Sequence, residues 1–438
     1  MGHVRAFVID RITQCALGRS NIIMVLSMPG FQGIRGQTQL IILVLFACLG
    51  ILYLVPKVLS ILNAGPHDYF DFEQIWLAGK LWASGKNPYD GSLFPNEERL
   101  STWFYPPYWY PIIVPFGLLP FPIALTIWKI INFSLLIGAT HLIARALADV
   151  AHQKYLPIFL AGMGFVCFMY STAVTAWSGQ TSILVYFGLS AFIFGLLKAR
   201  PWMLIAGLVF LALKPQIGIM AFVAVAALHR YRWTVLPAGA ICLLGSAAIA
   251  ITGDYRASIE GFLINLTRHS EHSSNTPPHL TGLIHILDYA FPNLNVSLSE
   301  LIIFLAAIIC AFVIFYKLPL NKSPDTGDET QQAIATLALF VAASFFSIPF
   351  HYYDMIALVA LLMMIIAVPL AGRWLIALGL LICFRPDYLL HAIGITKAPE
   401  MEISHLVSAG LFLLVIGAMW SYLRHSLLKL PSFRRHDN

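Results

Sequence analysis

The sequence predicts an all-α protein, a polytopic bundle of membrane-spanning helices. Three observations carry this. Of 438 residues, 59% are hydrophobic and only 11% are charged, whereas soluble domains carry about 25% charged residues. Apolar runs of spanning length recur along the whole chain, about twelve at roughly 20 residues each. Lys and Arg collect at both ends and in short segments between runs, as expected where basic residues mark the cytoplasmic side. The net charge of +6 is therefore a topological signal. No nucleic-acid partner is expected, because no basic stripe or nucleic-acid motif accompanies it. The six cysteines are scattered without C-x-x-C spacing, which argues against a disulfide framework or a zinc site.

Residues 1–38, with Arg5, Arg11, Arg19 and Arg35, read as a basic cytoplasmic tail. The late start of the first apolar run suggests a retained anchor rather than a cleaved signal. The spanning domain is expected over 39–423. Its first span, about 40–62, runs outward into a loop over 63–106. There Asp68, Asp71 and Glu73 lie where the chain reaches water. From Asp71 to Ser84 the spacing of Phe72, Ile75, Trp76, Gly79 and Trp82 predicts an interfacial helix with one apolar stripe. Gly85 ends it, and Asn87-Pro88-Tyr89 forms a turn. A second amphipathic piece is expected over 95–103.

Pro106, Pro107, Pro111, Pro115, Pro120 and Pro122 then predict a broken helix ahead of a regular span. Apolar runs follow, with polar breaks at Trp177-Ser178-Gly179-Gln180 and Lys214-Pro215-Gln216. Two arrangements of 105–228 remain open. Charge favours the one whose hairpins turn outside at Gly179-Gln180 and Lys214-Pro215, which puts Arg145, Lys154, Lys198 and Arg200 inside. The tail 424–438 is basic and expected in the cytoplasm.

Polar groups at membrane depth are the candidates for chemistry. Lys214 lies in an apolar run, where a charge costs roughly 2.5 kcal/mol or more on insertion scales. Snorkelling to an interface is the plain alternative to holding an anion. His351-Tyr352-Tyr353-Asp354 opens a span at the same side, with an aromatic belt as its plain alternative. Arg385-Pro386-Asp387 reads as a structural ion pair, and the His269–His279 cluster fits no standard zinc spacing.

Several ordered motifs run from the first outer loop to residue 353. They are Asp71-Phe72 with Trp76 and Ala78-Gly79, Gly85-x-Asn87-Pro88-Tyr89-Asp90, Tyr105-Pro106-Pro107, Gly179-Gln180, Ala206-Gly207 before Lys214-Pro215, and His351-Tyr352-Tyr353. In this order the chain resembles the GT-C superfamily of integral membrane glycosyltransferases. Within it, the chain is similar to glycosyltransferase family 87, which includes polyprenol-phosphate-mannose-dependent α-mannosyltransferases. The resemblance implies a GT-C-type bundle acting at the outer face of the cytoplasmic membrane. It implies a hexose, mannose favoured, passed with inversion from a polyprenyl-phosphate sugar to an envelope glycolipid or glycan. Asp71 is then the general base, with Asp68 as the alternative. Lys214 and His351 are placed at the donor phosphate, and Trp76, Tyr89, Tyr105, Gln180 and Tyr353 along the substrate groove. No cofactor and no obligatory metal are expected. A transporter or flippase of lipid-linked sugars is the competing reading, although no internal repeat supports it.

Overall fold

The computed structural model describes residues 29–59, 70–93, 103–229, 231–247, 255–271, 279–291, 296–316, 327–395 and 400–427. Among these there is no strand, only one isolated bridge, Thr281 with Phe350. Asp68, the piece over 95–103 up to residue 102, and most of both tails lie outside the described residues.

The described residues form eighteen α-helices. They are α1 Pro29–Leu59, α2 Phe70–Ala83, α3 Tyr110–Gly117, α4 Phe121–Val150, α5 Tyr155–Phe168, α6 Tyr170–Ser178, α7 Ser182–Leu197, α8 Pro201–Ala212 and α9 Pro215–Ala227. Then come α10 Val235–Ala247, α11 Tyr255–Glu271, α12 Leu283–Ala290, α13 Val296–Tyr316, α14 Gly327–Ser347, α15 Val359–Ala367, α16 Arg373–Phe384, α17 Pro386–Ala392 and α18 Glu400–Leu427.

Five described helices are long and apolar enough to cross a membrane, those of α1, α4, α13, α14 and α18. The number rises to seven if α5 with α6, bent by 62°, and α16 with α17, bent by 81°, each form one span. That is fewer than the dozen read from hydropathy. The difference lies in breaks that hydropathy averages over: α7, α8 and α9 are apolar but only 12 to 16 residues long. Pro215 makes one such break. Its ring pushes Lys214 into an extended conformation (ψ 97°).

The hairpin α7–α8 closes on glycines. A Cβ on Gly195 would lie 2.6 Å from the Leu204 nitrogen, and one on Gly207 would lie 2.6 Å from the Phe192 nitrogen. Such backbone approach is how apolar helices associate without a hydrophobic drive between them. At the turn of this hairpin Lys198 pairs with Asp149 of α4 at 2.9 Å, and Arg145 reaches the same carboxylate at 3.4 Å.

Helix α2 carries the expected apolar stripe, but it packs on protein. Phe72, Ile75, Ala78 and Trp82 are buried, and Gly79 meets Gly117 of α3 so closely that a Cβ on Gly117 would sit 2.1 Å from the Gly79 carbonyl carbon. Burying Phe72, Ile75 and Trp82 contributes roughly 1.5–3 kcal/mol each. An aromatic core of Trp82, Tyr89, Trp103, Trp109, Phe116 and Trp128 surrounds this pair. Helix α2 and the turn that follows it are thereby a folded cap, which fixes where Asp71 points.

Candidate active site

Four chain breaks meet under the start of α2. The first ends α6: Gly179 adopts φ +78°, a left-handed conformation that side chains disfavour, and so turns the chain into α7. A Cβ here would fall 2.6 Å from Phe72 Cβ. The Trp128 indole donates to the Gly179 carbonyl at 2.8 Å and pins the turn. The next residue, Gln180, donates from Nε2 to Asp71 Oδ1 at 2.9 Å.

The second break is α8–α9. The Tyr108 hydroxyl donates to the Ala212 carbonyl, and the Trp109 indole donates to the Leu213 carbonyl at 3.1 Å. These side chains satisfy carbonyls that a broken helix leaves open. Lys214 is carried just beyond, and its ammonium pairs with Asp354 Oδ1. Ser182, the first residue of α7, donates its hydroxyl to the same oxygen.

The third break follows α14. Pro349 and the Phe350–Thr281 bridge lead into a 3-10 turn over Tyr352–Leu358. Thr175 of α6 donates to the Tyr353 carbonyl at 3.3 Å. The His351 ring stacks on Tyr353 with centroids 4.7 Å apart. The fourth element is the loop before α3, where Tyr105 lies against Trp109. Tyr105 and Tyr353 both feel the charges of Asp71 and Asp354.

The electrostatics divide the labour. Burial pushes the Asp71 carboxyl up to about 6, against the pull of Ser178 and Lys214, with Asp354 adding to the rise. A carboxylate poised there is deprotonated at neutral pH yet basic enough to take a proton. Burial pushes the His351 imidazole down to about 4, although Asp354 opposes this. Near pH 7 the ring is therefore a neutral hydrogen-bonding group and not a second cation. Among the described residues, no three His, Cys, Asp or Glu side chains are grouped as a metal site requires.

Asp71, Gln180, Lys214, His351, Tyr353 and Tyr105 thus come together. Tyr89 and Trp76 do not. Tyr89 is 3% exposed and donates to the Tyr105 carbonyl at 2.7 Å. The Trp76 indole donates to the Leu119 carbonyl at 2.9 Å, and its ring meets Phe121. Both brace the cap. Sequence reasoning gave no role to Asn265, whose buried amide donates to the Tyr89 and Trp103 carbonyls at 3.0 and 3.1 Å. It also left Asp354 without a role. The signal for Asp354 was a lone acid after an aromatic run in a chain that must neutralise Lys214.

A family model described as Glycosyltransferase family 87 matches residues 103–344, more than half of the chain. The chain belongs to glycosyltransferase family 87. It is a membrane glycosyltransferase. The matched span includes Tyr105, Gln180 and Lys214; Asp71 and His351 flank it on either side. No curated protein is similar enough to the chain to count as a match.

Proposed function

We propose that this family 87 enzyme moves a hexose, mannose favoured, from a polyprenyl-phosphate sugar to an envelope glycolipid or glycan acceptor, with inversion. The observation that carries the reading is the Gln180–Asp71 hydrogen bond beside the Lys214–Asp354 pair. Gln180 fixes one carboxylate oxygen and leaves the other to face the acceptor. Asp71 takes the proton as the acceptor oxygen attacks the anomeric carbon. The bond from that carbon to the phosphate oxygen breaks, and its electron pair stays on the phosphate, which goes from a singly charged diester to a monoester with more negative charge. An ammonium has three N–H donors; Asp354 takes one from Lys214 and orients the others toward the developing charge. Neutral His351 donates a further hydrogen bond. Lys214 supplies the cation in this scheme, so no metal is required.

The chemistry is assigned to the outer face. From Trp128, at the site, to Asp149, among Arg145 and Lys198, α4 rises 21 residues, about 30 Å. That equals the hydrocarbon thickness of a bilayer. With the basic end inside, the site lies outside. The donor chain is assigned to an apolar cavity between α9, α12, α13 and α14, about 260 Å³, with Met220, Ile302, Ala307, Ala311, Phe315 and Phe340 in its walls. Two of its lining residues, Leu283 and Ser347, lie within four residues of Thr281 and His351 in the chain, which supports this assignment.

The test is transfer by purified protein in detergent. Radiolabelled mannose should move from polyprenyl-phosphate mannose to an envelope lipid extract in an α linkage. Transfer from a nucleotide sugar only would sink the donor assignment. Sugar movement across vesicles without any new glycosidic bond would favour a transporter.

A further inference from the structure

One short segment reaches from the base to the phosphate side. Thr175, Gln180 and Ser182 are all buried. Thr175, in the last turn of α6, donates to the Tyr353 carbonyl at 3.3 Å. Ser182, the first residue of α7, donates to Asp354 Oδ1. The segment thus grips two neighbouring residues, Tyr353 and Asp354, one from each of its helices. Between the two grips Gln180 holds Asp71 at 2.9 Å. Asp71 and Asp354 are therefore registered to each other through two residues of backbone, on a turn whose Gly179 carbonyl is pinned by Trp128.

Ser182 departs from what buried hydroxyls do elsewhere in this protein. Thr140, Ser190, Thr336 and Ser421 each donate to the carbonyl four residues back in their own helix, at 2.7–2.9 Å, the usual use of a hydroxyl within a helix. Ser182 donates instead to a carboxylate 172 residues away. The oxygen it takes is informative. A buried carboxylate needs donors for its remaining lone pairs, and a hydroxyl with that task alone would serve on either oxygen. Ser182 shares Oδ1 with the Lys214 ammonium. The hydroxyl occupies one approach to that oxygen and leaves the ammonium the other. Divided between two donors, the oxygen also holds the ammonium less tightly. Lysine is a compact charge on a flexible stem, so its place is set by what surrounds its partner.

We propose that Ser182 is the positioning residue for Lys214: through the shared Asp354 oxygen it fixes where the ammonium sits relative to Asp71, so that donor phosphate and acceptor hydroxyl are held in register. This rests on the transferase reading and adds a residue to it. Ser182 touches no substrate and moves no proton; it acts through the carboxylate. Without the hydroxyl, Asp354 is free to turn with Lys214, and the cation loses its register to the base. A misplacement of about 1 Å can cost about 10²-fold in rate.

The probe is undecaprenyl phosphate, set against undecaprenol, which has the same chain and no phosphate. Native mass spectrometry of the whole wild-type protein should show at least a tenfold preference for the phosphate. Ser182→Ala should cut that preference about fivefold and leave binding of the alcohol unchanged. Added to Lys214→Met, the same substitution should weaken neither lipid further, because the hydroxyl acts through the ammonium. In mannose transfer, Ser182→Ala should lower kcat about tenfold and leave the KM for the acceptor extract unchanged. In Ser182→Ala, an unchanged phosphate preference or an unchanged kcat would overturn the proposal. Equal losses for phosphate and alcohol, or a further loss in the Lys214→Met background, would also overturn it, since the serine would then act on the fold. The binding readout involves no transfer, so the two readings fail separately. A Ser182-dependent phosphate preference without any sugar transfer in wild type would sink the transferase reading and leave the positioning of Lys214 standing. Transfer undiminished in Ser182→Ala would do the reverse.

Discussion

Asp354→Asn isolates the one buried ion pair at the site. Asp354 is 6% exposed and Lys214 14%, so the substitution strands an ammonium out of water against a neutral amide. Removing one partner of a buried pair costs about 3–5 kcal/mol, whereas replacing both with apolar groups is often neutral or stabilising. Asn keeps an oxygen for the Ser182 hydroxyl, which places the expected loss at the low end, about 3 kcal/mol. The double substitution Lys214→Met with Asp354→Leu should recover most of that loss. It should nevertheless be inactive, since nothing then faces the leaving phosphate. Thermal unfolding in detergent ranks the three proteins, and sugar transfer is measured on the same samples. A single variant as stable as wild type, or a double variant no more stable than the single, would refute the reasoning. Full transfer by the double variant would remove Lys214 from the chemistry.

Transfer should rise with pH through about 6, tenfold per unit below it, because Asp71 must be ionised to accept a proton; a profile flat from pH 5 to 7 would argue against Asp71. The same burial has a stability consequence. The folded state holds the Asp71 proton more tightly than the unfolded chain does, so this group's contribution falls as pH rises from about 4 to 6. Gly179→Ala forces a side chain into a left-handed backbone and against Phe72, for a loss of roughly 2–4 kcal/mol. Its melting temperature and activity should fall together. Ala311→Phe fills the apolar cavity, and should cut kcat/KM about tenfold for a long-chain donor but not for a short-chain analogue. Apolar chains gain little by moving from lipid to protein, so the cavity orients the donor, and equal losses for both donors would relocate the chain.

Local elements were more legible in the sequence than the contacts between them. Period and composition were enough for α2, whose stripe of Phe72, Ile75 and Trp82 is buried as the spacing demands. They could not say what the stripe packs on, because Gly79 reads as a helix residue until Gly117, 38 positions on, supplies the partner backbone. Lys214 announced itself by its cost in an apolar run. Its partner Asp354 lies 140 residues away, at a distance no local pattern reports. Hydropathy found the apolar runs but not their breaks: Pro215, Gly179 and the Met169 break cut them into helices shorter than a bilayer, and five to seven spans are evident among the described residues. The aromatics were ambiguous for the same reason: Trp76, Tyr89 and Tyr105 look alike in sequence, and only their carbonyl partners separate a brace from a lining residue.

The central claim is that Asp71 is the base, and Asp71→Asn tests it most directly. Asn preserves the shape and an oxygen for Gln180, and it removes a charge that burial disfavours, so the variant should be at least as stable as wild type at pH 8. Transfer from polyprenyl-phosphate mannose by the purified variant should fall by about 10²–10⁴, the usual worth of a general base, with donor binding retained. Transfer within a few-fold of wild type would contradict the account.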